Sequence, residues 1–216
     1  MPDLTTLLLF ITAALSLNLT PGPDMLYVMA RSIGQGRRAG LVSALGLSIG
    51  YIVHTLAAAS GLAALLLSAP LAFHAIRVLG AAYLAYLGLR ALLGRDAAEE
   101  TPPAEAPYTP PEASLGQVFR QGALTSTLNP SIAVFFLAFL PQFVQPAQGT
   151  VFAQIVALGL VFNTTATTTH ATIALLTGTA GDWLRQRRGS ARTLRWFTGI
   201  MLIALGARVL LSGLAG

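Results

Sequence analysis

One carboxylate sits where a charge is expensive. Asp24 lies inside an otherwise apolar run, in the stretch Asn18-Leu19-Thr20-Pro21-Gly22-Pro23-Asp24. If that run crosses a membrane, a charge at its centre costs roughly 2.5–3.5 kcal/mol on insertion scales and usually marks function. Asp24 could bind an ammonium group or relay a proton. It could equally cap the helix that follows, since an acid in a first turn is favourable. Two histidines inside apolar runs, His54 and His170, have side chains that titrate near neutrality. Asp24, His54 and His170 are therefore the candidates for moving a proton. The plainer reading of each histidine is a packed, hydrogen-bonded side chain. The histidine spacing matches no metal signature, HExxH is absent, and the chain has no Cys. Neither a metal nor a cofactor is expected.

The backbone carries a second kind of chemistry. Proline removes an amide donor and clashes with the preceding turn. Pro21 frees the carbonyl of Leu17, Pro23 frees that of Leu19, and Gly22 between them adds backbone freedom. Asn129-Pro130 repeats the device, and Pro130 frees the carbonyl of Ser126. Backbone groups unpaired at membrane depth are tolerated only where protein or a watery cavity satisfies them. Both breaks should therefore face the interior. A half-helix starting near Pro23 would aim free amides at an anion. The candidate binding set is Asn18, Thr20, Pro21, Gly22, Pro23, Asp24, Ser126, Asn129, Pro130 and Asn163. Asn163 opens a stretch rich in Thr (Thr164, Thr165, Thr167, Thr168, Thr169, Thr172), expected to pack inward or line a wet path. The alternative is a pair of proline kinks that only shape a helix bundle.

Such residues need a scaffold, and the composition names it. The chain has 216 residues, 54% of them hydrophobic and 10% charged, against about a quarter charged in soluble domains. Spanning helices need about 20 apolar residues. Runs of that order lie at about Leu4–Ala30, Gly40–Ser68, Leu71–Leu93, Gln117–Val144, Val151–Thr177 and Leu194–Ser212. The first is read as a retained helix rather than a cleaved signal, because no basic segment precedes it. The net charge of +5 does not indicate nucleic acid, because the basic residues flank apolar runs. All 13 are Arg, and 11 of them lie at the first, third and fifth connections. With odd connections cytoplasmic, the positive-inside rule is met and both termini lie on the non-cytoplasmic side.

A stretch with five of the 12 prolines and five of the eight acids, Gly94–Ser114, reads as a solvated linker. The expected organisation is a first three-helix unit at 1–93, a flexible acidic linker at 94–116, and a second unit at 117–216. The two units are related in pattern. Arg77–Leu93 and Arg195–Leu211 agree at seven of 17 positions without a gap. Ala44-Leu45-Gly46 parallels Ala157-Leu158-Gly159, and each unit opens on a broken helix. Three spans per unit would place the second upside down relative to the first. Inverted repeats with broken helices are a transporter architecture. The expected fold is thus an all-α membrane protein of six spans in two inverted repeats, with helices one and four broken. Gly46 and Gly50 should mark a close helix contact.

At these residues the chain resembles the LysE/RhtB family of amino-acid exporters. The likeness is carried by TPGPDMLYV at Thr20–Val28, GRRAGLVSALGLSIGYIVH at Gly36–His54, GAAYLAYLG at Gly80–Gly88, LNPSIAVFFLAFLPQFV at Leu128–Val144 and the late RWFTGIMLIALGARVLL. It implies efflux of amino acids or their derivatives, such as homoserine, threonine, lysine or leucine, across the inner membrane, driven by the proton gradient. Two positions depart from the family pattern: Ser131 stands where a Lys is common, and Ser126 where Asn is. The partners implied are an amino-acid-like solute, the proton and the lipid bilayer; self-association is left open. Export of another solute or a cation is the alternative. An embedded enzyme is a weaker one, because nothing in sequence brings an acid and a base together.

Overall fold

The computed structural model describes residues 4–69, five positions between 71 and 79, and residues 113–184. The run expected at Leu194–Ser212, all but five positions of the one at Leu71–Leu93, their mutual likeness, and most of the linker lie outside the described residues.

Among the described residues the fold is all-helical, with no strand. Helix α1 (Leu4–Leu19) ends at the first break, and α2 (Pro23–Gln35) resumes after a bend of 55°. Proline at the first helical position suits α2, because that amide has no helical partner anyway. Gly36 turns the chain at φ 84°, and its amide closes α2 on the Ser32 carbonyl at 3.0 Å. Then α3 (Arg37–Ser68) runs uninterrupted. The second described stretch repeats this order. Helix α4 (Leu115–Thr127) meets the second break, and the chain resumes at α5 (Pro130–Val134) with a bend of 47°. Helix α6 (Val151–Leu184) is again long and unbroken.

Among the described residues, the segments Arg37–Ala64 and Val151–Thr177 are each long and apolar enough to cross a membrane alone, and each bent pair qualifies as one span, giving up to four. Leu45, Ile49, Ile52, Val53 and Leu56 of α3 are exposed, as a lipid-facing side requires. Helix α4 starts inside the stretch read as linker. A capping box starts it: Ser114 Oγ accepts from the Gln117 amide, and Gln117 Oε1 accepts from the Ser114 amide at 2.8 Å.

Close packing of α3 on α4 fixes the geometry between the breaks. A Cβ on Gly50 would lie 2.5 Å from the Ser126 Cβ, and one on Gly122 would lie 2.9 Å from the Ser43 carbonyl oxygen. Only glycine permits that approach. After α5 the chain widens into a single π turn, Phe135–Phe139, in which the Leu140 amide reaches the Phe135 carbonyl. Pro141 follows, and the helix tightens to a 3₁₀ turn at Leu140–Phe143. The wide turn directs Phe135, Phe136 and Phe139 inward. They pack on Phe10 of α1 and Phe162 of α6, and Phe162 in turn packs on Tyr51 of α3, with ring centroids 4.5–6.1 Å apart across the cluster. This aromatic core holds the two breaks at fixed separation.

Candidate functional site

The breaks meet around Asp24. Its carboxylate is 4% exposed and both oxygens are engaged. Asn129, at the second break, donates from Nδ2 to Oδ1 at 2.7 Å. Tyr51 of α3 donates its hydroxyl to Oδ2 at 2.8 Å. Hydrogen bonds to a charged acceptor contribute about 1.5–3 kcal/mol each, which offsets part of the cost of burying the charge. Asn129 does two jobs, because its Oδ1 also accepts from the Ser131 amide at 3.0 Å and caps α5. The sequence order Asn-Pro is thus a cap followed by a first-turn proline.

A third group extends the chain of contacts. His170 Nδ1 lies 3.3 Å from the Tyr51 hydroxyl oxygen, and the two rings stack at 6.4 Å. The hydroxyl has one proton and gives it to Asp24, so toward His170 it is an acceptor. In the tautomer protonated at Nδ1, the imidazole donates to that hydroxyl. Asp24, Tyr51, Asn129 and His170 are all buried.

Beside Asp24 lies a cavity of about 70 Å³. One water needs roughly 10–15 Å³, so the space suits several waters or one small charged group. Its walls are Leu17, Asn18, Thr20, Pro21, Gly22, Pro23, Asp24, Met25, Asn129, Ser131, Ile132 and His170. Helix α2 starts at this cavity with no side chain capping it, so the first-turn amides of Asp24 and Met25 have no intrahelical partner. The side-chain amide nitrogen of Asn18, buried at 4% exposure, has no hydrogen-bond partner among the described residues.

The structure separates the remaining candidates from this cluster. His54 does not reach Asp24. Its Nε2 is 3.2 Å from the Ser126 carbonyl, and its ring stacks on Phe136 at 5.9 Å. That carbonyl is the one Pro130 frees; the Asn129 amide reaches it at 3.1 Å, and the histidine adds a second donor. The Ser126 side chain packs against Gly50 instead of lining the cavity. Pro130 is not among the lining residues, although Asn129 and Ser131 on either side of it are. Asn163 lies in a different groove, where it donates to the Ser48 carbonyl at 3.3 Å and accepts from Thr167 at 3.0 Å. Thr164, Thr165, Thr169 and Thr172 bond back to carbonyls one turn earlier. At the first break the Leu17 carbonyl is not abandoned, because the Thr20 amide reaches it and Ser16, both at 3.1 Å.

Sequence reasoning missed Tyr51, which read as one more large residue of an apolar run. A signal existed, since a buried tyrosine hydroxyl usually has a hydrogen-bond partner. Arg31, read only as a topology marker, is 5% exposed. It bonds Gln35 and, across to α4, Gln121, each at 2.6 Å, and lies over the Tyr27 ring. Tyr27 itself donates to the Val118 carbonyl at 2.7 Å. The end of α2 away from the cavity is therefore bound tightly to α4.

Apolar helices, two interrupted spans and a small polar cavity at the interruptions define a polytopic membrane protein with a built interior site. Residues 15–213 match the family described as LysE type translocator, and the chain belongs to that family. It is 31% identical over 192 residues, 88% of either chain, to an uncharacterized membrane protein, PA4757, of Pseudomonas aeruginosa. It is 27% identical over 210 residues to membrane protein YrhP of Bacillus subtilis, covering 96% of this chain and 99% of that one. A leucine efflux protein of Salmonella choleraesuis is 32% identical over 141 residues, 62% of this chain and 61% of its own. No solved structure matches the chain.

Proposed function

We propose that this protein exports amino acids or close derivatives across the cytoplasmic membrane, exchanging each for an inward-moving proton. The observation that carries the proposal is Asp24: a buried carboxylate at the start of α2, held by Asn129 from the other break, beside a polar cavity. A zwitterionic head group is complementary to that arrangement. Its ammonium sits against Asp24, whose carboxylate has about four lone-pair sites and, among the described residues, two donors on it. Its carboxylate meets the Asn18 amide and the open first turn of α2. Membership of a translocator family and a leucine efflux relative support the same substrate class.

In this reading the two halves are inverted three-span repeats, both termini lie outside the cytoplasm, and rocking of one half against the other exposes the cavity alternately. Pro21, Gly22, Pro23 and Pro130 shape the breaks; Asn18, Thr20, Asp24 and Asn129 offer the polar contacts. The cavity as it stands holds a head group, so the side chain of a larger amino acid enters only as the halves part. Efflux of labelled amino acids from preloaded cells tests the proposal. Expression of the protein should accelerate loss of at least one amino acid, and Asp24→Ala at equal expression should abolish the gain. Efflux indifferent to Asp24→Ala would remove the site.

A further inference from the structure

We infer that Tyr51 is a proton-relaying residue, and that the proton exchanged for substrate reaches Asp24 from His170 through the Tyr51 hydroxyl. This rests on the exporter reading above and adds the route of its coupling ion.

Tyr51 Oη stands between two groups that can each gain or lose a proton, 2.8 Å from Asp24 Oδ2 and 3.3 Å from His170 Nδ1. In the arrangement described, every proton points toward Asp24: Nδ1–H toward Oη, and Oη–H toward the carboxylate. Starting from the His170 imidazolium, the Nδ1 proton moves to Oη as the phenolic proton moves to Oδ2. One N–H bond breaks and one carboxyl O–H forms. The phenol O–H breaks and is remade. The imidazolium and carboxylate charges cancel as one proton equivalent passes from His170 to Asp24, so both groups end neutral. Tyrosine is suited to this because its hydroxyl donates and accepts at once, and proton transfer needs groups in hydrogen-bond reach.

The consequence for transport is a choice at one carboxylate. Ionised Asp24 attracts a substrate ammonium; protonated Asp24 does not. His170 also borders the cavity, so it can charge from cavity water without occupying the carboxylate face that the ammonium uses. Protonation also weakens the bond from Asn129, which is charge-assisted only while Asp24 is ionised. Proton arrival would then both release substrate and loosen the contact between the two breaks. Among the described residues, the titratable groups facing Asp24 are Tyr51 from α3 and His170 from α6. Asn129 faces it as a neutral donor. Arg31, on α2 itself, is turned to Gln35 and Gln121. His54 is outside the chain of contacts, on the Ser126 carbonyl.

The test uses purified full-length protein in liposomes loaded with an equimolar mixture of the common amino acids. Effluxed species are read by mass spectrometry, and lumenal pH by an entrapped dye. Wild-type protein should show amino-acid efflux accelerated by an inward proton gradient, with protons entering in proportion. Tyr51→Phe keeps the ring that packs on Phe162 at 5.3 Å and removes only the hydroxyl. It should cut gradient-stimulated efflux by about tenfold or more, as loss of a positioned proton-transfer group does. It should also flatten the pH profile and leave the half-saturating concentration within about twofold. His170→Gln should do the same, which covers the case of a poorly folded Tyr51→Phe. A wild-type proton-to-substrate ratio that persists in both variants would overturn the relay while leaving the exporter standing. Wild-type efflux that ignores the gradient, or is absent for every amino acid, would overturn the exporter reading and the relay with it.

Discussion

Replacing Asn129 separates its two tasks, and the separation can be measured. Asn129→Ala removes the donor on Asp24 Oδ1 and the cap on α5 together. The charge-assisted bond is worth about 1.5–3 kcal/mol and the cap about 1 kcal/mol. Asn129→Ala should therefore cost about 2.5–4 kcal/mol. Serine caps helices as well as asparagine, but its shorter side chain falls short of a carboxylate that asparagine meets at 2.7 Å. Asn129→Ser should cost only the bond, about 1.5–3 kcal/mol. Unfolding in mixed micelles by increasing SDS, monitored by circular dichroism, gives the two numbers. A cycle with Asp24→Ala then isolates the pair, and its coupling energy should exceed about 1 kcal/mol. If Asn129→Ser is as stable as wild type and the coupling is below about 0.5 kcal/mol, the two breaks are not held together by this contact.

The remaining predictions concern the walls of the site. Gly50→Val places methyl groups where the Ser126 side chain lies and should destabilise the α3–α4 crossing by about 1–3 kcal/mol, seen as a lower melting temperature in detergent. His54→Leu removes one of two donors on the Ser126 carbonyl and leaves the Asn129 amide, so it should cost about 0.5–1.5 kcal/mol, while the pH profile of efflux keeps its wild-type shape; a shifted profile would restore His54 as a proton carrier. Tyr27→Phe deletes the bond to the Val118 carbonyl and should cost about 0.5–1.5 kcal/mol by the same unfolding assay. Ser131→Lys puts an ammonium group into the cavity wall near Asp24, where it competes with substrate; the half-saturating concentration for efflux should rise at least about tenfold, one factor per 1.4 kcal/mol of lost binding.

The sequence made the breaks legible because proline leaves the backbone no alternative. Pro21, Pro23 and Pro130 each delete an amide, and both bent pairs fall at those residues. Asp24 stood out because an isolated acid in an apolar run is costly, although a first-turn cap explained it as readily as a functional role. What pairs with it was not legible. Tyr51, Asn129 and His170 lie 27, 105 and 146 positions from Asp24 in sequence, and which helix faces meet depends on the glycine contact of α3 with α4. His54 and His170 look alike in sequence, each in mid-helix, yet one serves a freed carbonyl and the other faces Tyr51. Asn163 drew attention as a polar residue among threonines, but helix α6 turns it toward Ser48, away from the cavity that His170 borders on the same helix. The capping box at Ser114 was readable from its Ser-x-x-Gln spacing, and was hidden by the proline-rich stretch before it.

The chain has no cysteine, so Ser131→Cys creates a single thiol in the cavity wall. Its labelling by a small charged thiosulfonate, with and without amino acids, reads occupancy of the site where the breaks meet. An amino acid that the protein exports should slow labelling, with half-protection near its half-saturating concentration for efflux, and Asp24→Ala should remove the protection. Labelling at one rate whatever exported amino acid is present would mean that substrate passes elsewhere.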